Sequence, residues 1–209
     1  MNELNKDLYK DLDLLPLDLD GWHGNDPIFR ELILEKQPEV IIEVGTWKGQ
    51  SAINMALICK ELGLKTKIYC IDTWLGALEF WHGLNHTPER NLMLKNGYPQ
   101  IYYQFLSNVV HKGLQDYIVP VPLPSLIGFK LLEKMNIVAD LIYIDGSHDY
   151  EDMIFDLYAT KRVSSLNKTV IFGDDWHTFP DVQKAVDLFS QRHVQFLGLQ
   201  LKNNFWVLR

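Results

Sequence analysis

Short apolar segments rich in β-branched residues recur along this 209-residue chain, and most run into an acidic or glycine-containing corner followed by a helical pattern. Val40–Val44 (VIIEV) leads into the turn Gly45-Thr46-Trp47-Lys48-Gly49 and a helical stretch over residues 51–62. Lys67–Ile71 (KIYCI) ends at Asp72. Leu141–Ile144 (LIYI) ends at Asp145, ahead of a helix over 150–163. Residues 169–172 (TVIF) end at Gly173-Asp174-Asp175, ahead of a helix over 182–192. A strand with no polar face must be covered on both sides. Strands alternating with helices therefore predict an α/β fold, a doubly wound and mainly parallel sheet.

The remaining segments fit the same plan. Asp26 and Pro27 are a helix start, with the carboxylate as cap and proline in the first turn, and Pro38 ends that helix after Lys36. Residues 117–121 (YIVPV) are a third strand, shortened by Pro120, and 125–135 form a helix. Alternation through 196–199 and 205–208, with no helix between, predicts an antiparallel C-terminal edge hairpin. The length suits one domain over 1–209, with 1–37 as an N-terminal arm and helix. Residues 73–103 have no clear place: Trp74, Trp81, His82, His86, Tyr98, Tyr102 and Tyr103 make either a helical lid insert or ordinary packing.

A formal charge of −7 argues against a nucleic-acid partner, which would need a basic field. Residues 1–20 lack the basic and apolar regions of a secretory leader, and no apolar run is long enough to span a bilayer. Cys59 and Cys70 sit in apolar surroundings, as thiols of a reducing compartment do. A cytoplasmic protein with no membrane contact is expected. The Leu-rich arm could cover a partner subunit, which leaves a homo-oligomer possible.

Two groups of residues carry chemistry. The first is the turn after the first strand, with the pattern ExGxxxG over Glu43, Gly45 and Gly49. Glycines there let backbone approach a ligand, and the following helix offers free N–H groups. The GxGxxG of dinucleotide sites and the Lys-Ser/Thr of a P-loop are both missing. Glu43 at the mouth would repel a pyrophosphate but could receive an ammonium. Asp72, ending the next strand, could accept hydrogen bonds from ribose hydroxyls or cap the following turn. An ordinary βα turn remains the alternative for the segment.

The second group is Asp145, Asp174 and Asp175, which end neighbouring strands at the crevice where such sheets bind ligands. Three carboxylates there repel one another unless protons or a hard cation such as Mg²⁺ or Mn²⁺ intervene. The alternative is a capping Asp174 and a solvated Asp175. His148, three residues past Asp145, would reach the same crevice as a general base. It could instead cap the following helix or stack on Trp176. Trp176 and His177 could line an acceptor pocket, although His177 reads best as a solvated loop residue.

The segments EVGTWKGQSAINMA, IDTW, IYIDGSHDYEDMIFDL and VIFGDDWHTFPDVQKAV together resemble the core of class I S-adenosylmethionine (SAM)-dependent methyltransferases. The likeness is strongest to the metal-dependent branch of macrolide-sugar O-methyltransferases and cephalosporin-hydroxylase-like proteins. It implies a Rossmann-like fold and methyl transfer from SAM to a hydroxyl of a small molecule or sugar. It implies that Glu43, Gly45, Thr46, Gly49 and Ser51 lie along the methionine end of SAM. Asp72 and Thr73 would then meet the ribose, Ser125 would lie near the adenine, and Asp145 would border the cofactor. It further implies a divalent metal at Asp145, Asp174 and Asp175, with His148 as the base. A nicotinamide-dependent oxidoreductase and a non-catalytic SAM-binding domain are the rival expectations.

Overall fold

In the computed structural model, residues 8–81, 90–166, 168–192 and 198–209 are described. Seven strands form one sheet: β1 (Val40–Val44), β2 (Lys67–Ile71), β3 (Ile118–Val121), β4 (Leu141–Ile144), β5 (Val170–Gly173), β6 (Leu199–Lys202) and β7 (Phe205–Leu208). Their order is β3-β2-β1-β4-β5-β7-β6. β1 sits centrally, paired in parallel with β2 on one side and β4 on the other. The first five strands are parallel, and β7 enters antiparallel between β5 and β6. This is the doubly wound sheet with an antiparallel hairpin that the sequence pattern predicts.

Alternation along the strands divides the core in two. Ile41, Ile68, Leu141, Tyr143 and Phe172 point to one face. That face is covered by α1 (Pro27–Lys36), α2 (Gln50–Glu61) and α4 (Ile101–His111). Ile42, Ile71, Ile142, Ile144 and Ile171 point to the other, under α5 (Ser125–Lys134), α6 (Tyr150–Thr160) and α7 (Pro180–Arg192). The cap of α1 forms as its sequence indicates: the Asp26 carboxylate accepts a hydrogen bond from the Ile28 N–H at 2.9 Å. At the other end Gln37 takes a left-handed conformation.

Pro120 is tolerated because β3 is an edge strand, where a missing donor leaves no neighbour unpaired. The 73–103 segment resolves into unlike parts. Trp74 and Leu92 are buried in the core, a short helix α3 (Leu78–Trp81) carries no buried residue, and residues 101–103 already belong to α4. His82 and His86 lie outside the described residues, as does Phe196 of the expected hairpin arm and residues 1–7 of the N-terminal arm. Among the described residues, no helix is long and apolar enough to cross a membrane.

Candidate active site

The parallel strands deliver the turn after β1, Asp72, Asp145 and the Asp174-Asp175 pair to one edge of the sheet. Gly45 adopts φ +80°, and a β-carbon on it would lie 2.0 Å from the carbonyl oxygen of Asp145. The turn therefore presses directly against the end of β4. Gly49 caps α2 in the left-handed region without a side-chain hydrogen bond.

Asp72 clamps this turn. Its carboxylate accepts the N–H groups of Thr46 at 2.8 Å, Trp47 at 2.9 Å and Trp74 at 2.7 Å. Burial nevertheless holds it above the ordinary carboxylate range. Thr73, next to it, is exposed. Ser125 opens α5 and donates to Asp156.

Glu43 does not stand at the mouth. It is fully buried beneath the turn and accepts hydrogen bonds from the Ser51 hydroxyl and, at 3.7 Å, the Cys70 thiol. Burial pushes its carboxyl up to about 8 from 4.5. The folded protein thus keeps a proton between those values that the unfolded chain gives up. The resulting stabilisation is complete below about pH 4.5 and fades as the pH rises toward about 8. Glu43→Gln, which stays neutral, is expected to flatten that decline. Thermal melts at both ends of the window check it, and an unchanged slope would contradict a protonated Glu43.

At the neighbouring strand ends, one oxygen each of Asp145 and Asp175 and one ring nitrogen of His148 lie within 4.8 Å of one another. His148 Nε2 is 2.9 Å from Asp175 Oδ2. Its ring stacks on Phe179, with centroids 4.0 Å apart and planes 6° from parallel. Asp145 accepts the Tyr143 hydroxyl at 2.8 Å. Burial first, then the charges of Asp175 and Asp174, raise the Asp145 carboxyl to about 7. Burial lowers His148, but the bond to Asp175 and the charges of Asp175, Asp145 and Glu79 outweigh it, leaving it above the usual histidine value.

Asp174 lines the same small cavity as Asp145, His148 and Asp175, but its carboxylate is already engaged by other partners. It is buried, and its carboxylate is shared among His23 Nδ1 at 2.7 Å, Asn204 Nδ2 at 2.8 Å and the Asp175 N–H at 2.7 Å. Trp176 packs into the core, and Phe179 takes the stacking place beside His148. His177 is exposed, as expected, and anchors the loop through its N–H to Asn204. Sequence reasoning missed His23, Asn204, Tyr143 and Phe179. Tyr143 and Phe179 lie near recognised residues, but His23 and Asn204 arrive from 151 residues before and 30 residues after Asp174.

The donor set fits a hard divalent cation. The Asp145 and Asp175 carboxylates converge on one small space beside His148, and burial together with the charges of Asp175 and Asp174 raises the Asp145 carboxyl, a cost that added positive charge would offset.

Residues 42–176 match the family described as methyltransferase domain. No curated protein matches the sequence significantly. Among solved structures the chain is similar to the O-methyltransferase NovP, at 18% identity and TM-score 0.62, covering 87% of this chain and 77% of that one. It is similar to the O-methyltransferase from Bacillus cereus in complex with SAH, at 15% identity and TM-score 0.59, covering 93% and 83%. It is also similar to CalS11, a TDP-rhamnose 3'-O-methyltransferase in calicheamicin biosynthesis, at 18% identity and TM-score 0.55, covering 87% and 76%. At such identities these likenesses establish the fold.

Proposed function

Because the chain belongs to the methyltransferase domain family, we propose that it transfers a methyl group from SAM to a hydroxyl of a small molecule or sugar. One observation carries this reading. The glycine turn and the acid–histidine group are in backbone contact, through Gly45 against Asp145, so a donor bound on the turn would face an acceptor bound at His148. The solved relatives with named acceptor chemistry, including one acting on a sugar nucleotide, support the choice of a hydroxyl.

SAM supplies an electrophilic methyl on its sulfonium. Gly45 and Gly49, lacking side chains, would let its methionine end approach the turn closely, with Thr46 between them. Glu43 and Ser51 support that turn from beneath, while Asp72 and Thr73 serve the ribose and Ser125 the adenine side. Asp145 and Asp175 would hold a divalent cation, which would supply positive charge favouring the ionised acceptor oxygen. His148 takes the hydroxyl proton on its imidazole. Asp175 orients that ring and stabilises the imidazolium that forms. Phe179 keeps the ring in one plane. The buried thiols of Cys59 and Cys70 suit a reducing compartment such as the cytoplasm.

Calorimetry tests cofactor and metal separately. Wild type is expected to bind SAM, and to give a further heat with Mg²⁺ or Mn²⁺. Asp145→Asn is expected to keep the first and lose the second, with metal affinity down at least about tenfold. Absence of SAM binding by wild type would overturn the proposed activity. SAM binding without a metal heat would remove only the cation.

A further inference from the structure

The N-terminal arm is anchored far more thoroughly than a passive extension needs. Asn108, buried on α4, accepts the Asp18 N–H at 3.0 Å and donates to the carbonyls of Asp18 and, at 2.8 Å, Lys48. Gln104 donates to the Pro16 carbonyl at 2.8 Å. Gln50, at the start of α2, donates to the Leu19 carbonyl and accepts the Gly24 N–H, both at 3.0 Å. Lys48, itself buried, pairs with Asp18 at 2.7 Å.

These contacts end at His23, whose φ of +53° lies in the left-handed region. A non-glycine residue holds such a conformation only when its surroundings impose it. Its side chain is 57% exposed, so packing is not what it contributes. That conformation belongs to a turn in which the His23 carbonyl accepts the Asp26 N–H at 3.0 Å, and it leaves Nδ1 2.7 Å from Asp174 Oδ2. From there the contacts continue without a gap. Asp174 Oδ1 accepts the Asp175 N–H at 2.7 Å, and Asp175 Oδ2 meets His148 Nε2 at 2.9 Å.

We propose that His23 is a positioning residue of the active site, delivered by the arm, which acts through Asp174 to hold Asp175 and His148 in their working geometry. The proposal rests on the methyltransferase reading for its purpose, but not for its test. Carboxylates that bind metals are themselves oriented by hydrogen bonds, and losing such a partner typically costs about 10- to 100-fold in metal affinity. A ring at the end of a four-member contact chain is placed to exert that effect on Asp175 at one remove.

The test uses His23→Ala and His23→Asn in the full chain. The asparagine amide nitrogen occupies the place of Nδ1 and can still donate to Asp174. Three quantities are read: Mn²⁺ affinity by calorimetry, the His148 imidazole nitrogen shifts by NMR at fixed pH, and the melting temperature. The expected result is a loss of up to about tenfold in Mn²⁺ affinity for His23→Ala, the low end of what a direct partner of a ligand costs, together with displaced His148 signals. Both should return toward wild type in His23→Asn. A lowered melting temperature with unchanged Mn²⁺ affinity and unchanged His148 signals would overturn the proposal and reduce the arm to packing. Wild type that binds no Mn²⁺ would remove the cation from the functional reading. The His148 signals would then decide on His23 alone: displaced in the alanine variant they support it, unmoved they overturn it.

Discussion

His148→Ala is expected to lower methyl transfer by about 10²- to 10⁴-fold, the usual contribution of a general base, with SAM affinity nearly unchanged. The separation follows from where His148 sits. Its ring touches Phe179 and Asp175, both beyond the fourth strand, whereas the glycine turn and Asp72 make up the other half of the crevice. The side chain is partly exposed, so truncation leaves no sealed cavity. Turnover with a methylated product, set beside calorimetry with SAM, measures both quantities. Full activity in the variant would refute the assignment. An equal loss in SAM affinity would make His148 a binding residue instead.

Gly45→Ala is expected to destabilise the fold by about 4 kcal/mol or more, combining overpacking with left-handed strain. The added carbon would lie 2.0 Å from the Asp145 oxygen, 2.5 Å from its carbonyl carbon and 2.6 Å from Gly146 Cα. All three are backbone atoms at the end of a strand paired to β1, so no side chain can swing aside. Gly63→Ala separates the two causes. Gly63 also has positive φ, +71°, but a β-carbon added there would meet nothing within 4 Å; it should lose only the strain, about 1–2 kcal/mol. Denaturant midpoints of the two variants make the comparison. Equal losses would mean that the contact with Asp145 yields.

What could be read from the sequence follows from the range of the forces involved. β1, β2, β4 and β5 were legible because a strand covered on both faces is apolar throughout. The start of α1 was legible because Asp26 and Pro27 act on their own helix. α4 was not, since Gln100, the residue before it, gives the helix no side-chain cap to mark its start and its aromatic residues resemble those of the preceding segment. Asp145, Asp175 and His148 could be grouped because parallel strand ends meet by topology. The place of Asp174 could not, because its partners come from the arm and the β6–β7 turn. The depth of Glu43 was equally hidden: an acid near a strand end reads as exposed until the covering helix supplies Ser51.

The meeting at Asp174 has a consequence for how the protein is made. A ribosome delivers His23 early, Asp174 151 residues afterwards and Asn204 30 residues later still. The nascent chain can pair its first parallel strands while this corner still lacks a partner. The hydrogen bonds on Asp174 can close only after the β6–β7 turn that carries Asn204 has been made, so this corner of the sheet edge is the last that synthesis can complete.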